Sequence, residues 1–220
     1  IAESQPHAKH IFQVGNAWGH LPGITNILAS TAPFSVPSGI NVCFYHQEFD
    51  TSVFHYEPPT VSNRVNSYIH WMQRKDLMNA VATRLPSWTF RSYGAGMEDT
   101  ILATADIAKT MLASGWTWHY KPEGDGYGYN LHTSFACGRP VIINSKHYQG
   151  KLGSTLLQHG KTCIDLATTV DSPEAIAYLL QQFLPQHETM CQATRKRFEE
   201  VVNFDHEFDH ILKPFLDKLI

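Results

Sequence analysis

The chain has 220 residues, of which 43% are hydrophobic, with 12 Phe, nine Tyr and five Trp, so a sizeable core is available for one domain or for one domain plus part of another. A net charge of −3 argues against a partner held by charge alone, and neither nucleic acid nor a charged membrane surface is expected. No apolar run reaches the roughly 18–20 residues that span a bilayer.

In chain order, His10–Gly15 reads as a strand ending in a Gly-Asn turn, and Leu21–Ser30 as a short helix. Ile40–Tyr45 is a strand after the Pro37-Ser38-Gly39 turn. Residues 50–63, with Pro58-Pro59, read as a linker and place a domain boundary near residue 60. Arg64–Trp71 then starts a fresh strand, and Asp76–Leu85 a helix with Leu77, Ala80, Val81 and Leu85 on one face. Trp88–Tyr93 is a strand ending in Gly94-Ala95-Gly96. Glu98–Ala113 carries apolar residues at helical spacing, acidic residues in its first turn and Gly115 beyond its end.

The segment 116–144 organises the rest. Trp116–Tyr120 is β-favouring, and Pro122, Gly124, Gly126 and Gly128 interrupt regular structure. Tyr129–Cys137 forms a helix, Gly138 a left-handed cap, and Val141–Ile143 a buried strand. Leu152–Gln158 reads as a weak helix and Lys161–Asp165 as a strand. Ser172-Pro173-Glu174 is a helix start, with Ile176, Leu179, Leu180 and Phe183 as its apolar stripe. Helices over Glu188–Val202 and His206–Leu219 close the chain.

Strands alternating with helices from residue 64 onward define an α/β fold with a Rossmann-like, mostly parallel sheet. Ligands in such folds sit beyond the carboxyl ends of the strands. Glycine-bearing or basic loops occur there at Trp71–Lys75, Gly94–Gly96 and Glu123–Gly128. The last opens a helix whose N-terminal N–H groups and dipole favour anions. Neither a Walker A lysine pattern nor G-x-G-x-x-G is present. Glycines at these spacings serve a tight turn as well as an anion site.

The run Asp125-Gly126-Tyr127-Gly128, followed by Thr133-Ser134-Phe135-Ala136-Cys137-Gly138-Arg139-Pro140-Val141-Ile142, resembles the donor-site signature of retaining GT-B glycosyltransferases. Phe49-Asp50 with Phe54, Lys75-Asp76, Gly94-Ala95-Gly96, Gly160-Lys161-Thr162 and Asp171–Ala177 resemble further segments of that family, in its order. The resemblance implies two Rossmann-like domains with helices on both sheet faces. Residues 1–60 would end the acceptor-side domain, and residues 61–220 would form the donor-binding domain. The Ile start fits part of a longer protein.

The resemblance also implies roles. The family has glutamates where this chain has Asp125, which would touch the donor sugar, and Thr133, which would meet the ribose; Glu123, two residues upstream of Asp125, is an alternative donor ligand. The N–H groups of Tyr129, Asn130 and Leu131 would hold the diphosphate, framed by Gly126, Tyr127 and Gly128 and by Gly94 and Gly96. Lys75, or Arg74 beside it, would neutralise charge developing on the leaving group; a solvated lysine is the alternative. No metal or cofactor is then required, the nucleotide-diphosphate sugar being substrate. The resemblance implies a glycan, lipid or protein as acceptor and a cytoplasmic location, with peripheral contact at the inner membrane face through a further domain as the alternative.

Two other readings remain from the sequence: a non-catalytic nucleotide-sugar binding module, and a GT-B-like phosphorylase or epimerase. Cys43, Cys137, Cys163 and Cys191 are widely spaced, as in reduced proteins. His46-x-Glu48-x-Asp50 and His206 with His210 lack a third metal ligand at a recognisable spacing.

Overall fold

The computed structural model describes residues 7–14, 23–30, 38–69, 74–94, 96–100, 103–122, 124–167, 169 and 171–219. Ile11–Val14 (β1), Asn26–Ala29 (β2) and Asn41–Phe44 (β3) form a three-stranded parallel sheet in that order, with Phe12 beside Ile27 and Ile27 beside Val42. Residues 45–63 carry neither helix nor strand. Beyond them Arg64–Ser67 (β4), Thr89–Ser92 (β5), Trp116–Trp118 (β6), Val141–Ile143 (β7) and Cys163–Asp165 (β8) form a second sheet, all parallel, in the order β5-β4-β6-β7-β8.

The helices are Lys75–Arg84 (α1), Thr104–Leu112 (α2), Tyr129–Ala136 (α3), Pro173–Phe183 (α4), His187–Val201 (α5), Phe204–Glu207 (α6) and Lys213–Asp217 (α7). Of these, α1 to α5 cover both faces of the larger sheet, because its strands are apolar on both sides. Trp116, Trp118, Ile142 and Ile164 face α1 and α4 and pack with Leu77, Val81, Ile176 and Leu180. Val141, Ile143 and Cys163 face the other way and join Met111, Leu131, Phe135 and Phe198 of α2, α3 and α5. The alternation of side chains along β7 thus divides one sheet between two cores.

The chain end returns to the smaller sheet. A π-turn at Phe208–Leu212 joins α6 to α7. Glu207 receives the main-chain N–H of His46 at 2.8 Å, and its other oxygen lies 2.7 Å from His46 Nδ1. Both residues are buried, so this pairing fastens the last helices to the segment after β3.

Several sequence expectations are corrected. Leu21–Ser30 is not a helix: residues 21–22 lie outside the described set, and Asn26–Ala29 is the central strand β2. Flanking strands on both sides override the helical preference of Leu28 and Ala29. The helix expected from Glu98 begins at Thr104, leaving Asp106 as its first-turn acid. Residues before it are held to β5: Gly94 N–H donates to Asp99 O at 3.0 Å, and Asp99 N–H to Ser92 O at 3.3 Å. Leu152–Leu156 is 3₁₀ rather than α-helical, and β4 ends at Ser67. Gly138 has the expected left-handed φ of 65°.

Candidate functional site

In the order β5-β4-β6, the chain goes to one side after β4 and to the other after β5, so β4 and β6 flank the topological switch point. The loops leaving their carboxyl ends converge there. Asn130 Nδ2, at the start of α3, donates to Tyr68 O just past β4 at 3.1 Å. Lys75 Nζ, on the first turn of α1, lies 3.2 Å from Glu98 Oε1 in the loop after β5. Tyr127 donates its hydroxyl to Gln47 O at 3.2 Å, which ties the glycine loop to the segment after β3.

The start of α3 is shaped by Gly128, whose φ of 77° and ψ of 60° place it in the left-handed region. A β-carbon there would also come within 3.3 Å of Leu131 Cβ. Leu131 N–H already donates to Gly128 O at 2.9 Å. The N–H groups of Tyr129 and Asn130 are therefore the first-turn donors left without a helical acceptor. Gly126 is buried at the bend before them, and Gly96 stands in open space.

Asp125 is largely enclosed by nitrogen-bearing side chains. Lys121 Nζ pairs with its Oδ1, and His119 Nε2 lies 3.2 Å from Oδ2, at ion-pair distance but without hydrogen-bond alignment. Burial opposes ionisation of the carboxyl, yet His119 and Lys121 outweigh it and hold its pKa at about 2. Lys151 Nζ donates to the main-chain carbonyl of the same residue. Arg74 is likewise committed: it holds Asp171 Oδ2 at 2.6 Å and Asp76 Oδ2 at 3.0 Å, while Tyr120 donates its hydroxyl to Asp171 Oδ1 at 2.6 Å.

Below the loop lies a buried aromatic stack. The rings of Tyr127 and His132 are 3.9 Å apart and nearly parallel, and His46 meets His132 edge-on at 5.3 Å. His132 Nδ1 sits 3.0 Å from Gly128 O, which requires the proton on that nitrogen. Complete burial pushes its pKa down to about 3, so the ring is neutral.

Arg74, Lys75, Gly94, Gly96, Asp125, Gly126, Tyr127, Gly128, Tyr129 and Asn130 thus lie on the segments that follow the carboxyl ends of β4, β5 and β6. Glu123 lies outside the described residues. Three expected ligands are corrected. Thr133 is fully buried and donates its hydroxyl to Tyr129 O at 3.1 Å, so a ribose contact from it is closed off by its own helix. Leu131 N–H is used within the helix cap. Tyr127 is 3% exposed and turned toward Gln47, so its place is structural.

Sequence reading missed His119, Lys121, His132, Tyr148 and Lys151. Lys121 and Asp125 are four residues apart, and His119 interrupts an aromatic strand, so both carried a local signal. Lys151 lies 26 residues from Asp125 and carried none. His46 is taken up by Glu207, and the rings of His206 and His210 stack on each other at 4.1 Å. Among the described residues, no three His, Cys, Asp or Glu side chains converge as a metal ion would require. A groove of about 720 Å³ lies elsewhere and is rimmed by Glu48, Asp50, Glu199 and Asp205 with Arg195. That acidic rim repels a diphosphate, so size does not select it.

No protein-family model matches the chain, and no curated protein matches it by sequence. Solved structures do match. HepE from Anabaena, in complex with UDP and glucose, gives a TM-score of 0.66 at 14% identity, over 89% of this chain and 64% of that one. The C-terminal domain of a glycosyl transferase group 1 family protein, LpcC from Francisella tularensis, gives 0.52 at 13% identity, over 70% of this chain and 97% of that one. Sucrose-phosphate synthase from Thermosynechococcus elongatus gives 0.58 at 13% identity, over 84% and 56%. The chain therefore spans 64% of HepE, less than two thirds of its length. Its fold is that of the GT-B glycosyltransferases.

Proposed function

We propose that this chain is mainly the donor-binding part of a glycosyltransferase that takes a sugar from a nucleotide-sugar, with residues 61–220 as the donor domain and residues 1–60 as the end of an acceptor-side domain. The observation that carries this reading is the α3 N-terminus: two N–H groups with no acceptor among the described residues, behind a left-handed glycine at the switch point of a parallel sheet. HepE, which shares the fold, was solved with UDP-glucose.

In this reading the diphosphate sits on Tyr129 and Asn130 N–H, and Lys75 exchanges Glu98 for a phosphate oxygen. Lys75 suits this because its side chain is 37% exposed and its present partner is a surface carboxylate. Arg74 is a positioning residue, holding the start of α1 against the Asp171 loop. Fixed cations and N–H donors stabilise charge on the leaving diphosphate, so the transfer is metal-independent. Retention of configuration belongs to the same proposal, as does a cytoplasmic site of action. The acceptor is left to the part of the fold that this chain does not span.

Calorimetric titration with UDP, GDP and ADP tests the reading: saturable binding of one of them is expected, and no binding of any would overturn it. The engaged oxygens of Asp125 and the buried hydroxyl of Thr133 favour a second reading, a nucleotide-sugar binding module without turnover. Binding without release of nucleoside diphosphate in the presence of acceptor would select it.

A further inference from the structure

More positive charge surrounds Asp125 than the carboxylate neutralises. Lys121 Nζ takes Oδ1, His119 Nε2 lies against Oδ2, and Lys151 Nζ reaches the main-chain carbonyl, so both carboxylate oxygens have nitrogen neighbours and two ammonium groups lie at this residue. One ammonium group meets the carboxylate and a second its main-chain carbonyl. Lys121 is 20% exposed and Asp125 14%, so of this ion pair the lysine is the more open to a ligand.

Beside this group, Tyr148 is 1% exposed and its hydroxyl has no hydrogen-bond partner among the described residues; His119 Nδ1, equally buried, has none either. Buried polar atoms without partners are costly and mark a place where a ligand or water completes the site. The Tyr148 ring lies close to Gly128, and Lys151 Nζ is 5.5 Å from its centroid. Cations and an unpartnered donor therefore sit beside the start of α3, where the sugar of a donor would project from its diphosphate.

We propose that this cluster reads a carboxylate on the transferred sugar, so that the donor is a nucleoside-diphosphate hexuronate, with Lys121 and Lys151 as specificity-determining residues and Tyr148 as a neutral donor. The inference rests on the donor-site reading above and narrows its substrate class. A neutral hexose presents hydroxyl groups that a free carboxylate would accept, and the oxygens of Asp125 are occupied. A sugar carboxylate takes ammonium and hydroxyl donors, and charge-assisted bonds of that kind are the stronger ones. Lys121 can turn to the ligand while His119 stays at Asp125.

The test uses the nucleotide that binds best among UDP, GDP and ADP, then its hexose and hexuronate conjugates (UDP-glucose and UDP-glucuronate in the uridine case). The hexuronate is expected to bind about tenfold tighter than the hexose. Lys121→Gln and Lys151→Gln should each bring that ratio toward one, with affinity for the sugar-free diphosphate held within about twofold. Lys151→Gln leaves the Lys121–Asp125 pair intact, so it decides the matter even if Lys121→Gln does not fold. A wild-type ratio of one or less, or a ratio unmoved in the folded variants, overturns the inference while diphosphate binding keeps the donor-site reading. Absence of binding by all three nucleotides overturns both.

Discussion

His132 is held neutral inside the protein, and that has a consequence in acid. Its pKa falls from 6.5 to about 3 on burial, so between those values the unfolded chain binds a proton that the native state refuses. Stability is therefore fully present above about pH 6.5 and declines toward pH 3, by at most about 1.4 kcal/mol per pH unit from this residue. His187 is depressed by burial too and adds in the same direction. Comparing urea midpoints of the wild type and His132→Leu between pH 7 and 5 isolates the one ring. The variant should show the shallower slope, and equal slopes would show that His132 is charged or exposed. Thr133 gives a complementary expectation. With its hydroxyl turned onto Tyr129 O, Thr133→Val should leave nucleotide affinity within about twofold; a tenfold loss by calorimetry would restore it as a ligand. None of this was legible from residue type alone. Asp125 and Thr133 stood out by position in a motif, while the partners that occupy them became visible only with the fold.

At the scale of elements, helix ends were the most readable feature. Ser172 caps α4 as its sequence announces, its hydroxyl accepting Ala175 N–H at 3.2 Å ahead of Pro173. Ser172→Ala should cost about 1 kcal/mol in chemical denaturation. Gly128 matters to α3 in a different way. Gly128→Ala forces a side chain into the left-handed region and against Leu131, at about 1–2 kcal/mol. It should also weaken diphosphate binding, because the orientation of Tyr129 and Asn130 N–H depends on that turn. Loss of stability with unchanged affinity would separate the turn from the site. The elements that misled were those decided by neighbours. Leu28 and Ala29 lie in β2 because β1 and β3 pair with it on either side. Glu98 and Asp99 stay out of α2 because the bridge between Tyr93 and Asp99 holds their loop to β5. Pairing across such distances leaves no periodicity in the local sequence.

Among the described residues, two parallel sheets are joined by residues 45–63 and fastened by the returning C-terminal helices. Glu207 is central to that fastening. Burial works against its charge, but His46 more than compensates and lowers its pKa. Glu207→Ala would strand the His46 N–H and ring in a buried position, and a loss of about 1–3 kcal/mol is expected from denaturant midpoints. All four cysteines are buried and free, and burial pushes Cys137, Cys163 and Cys191 up to about 12, which suits packing rather than nucleophilic chemistry. Among the described residues, no helix is long and apolar enough to cross a membrane. The α/β architecture was legible because both-face burial leaves runs such as Val141–Ile143 in the sequence; the contact between His46 and Glu207, 161 residues apart, was not. The central claim is that the α3 N-terminus receives a diphosphate. Backbone amide shifts during titration with UDP, GDP and ADP measure it directly: the largest changes should fall on Tyr129 and Asn130, with Lys75 following. Saturable binding that leaves those amides still and moves others would contradict the account.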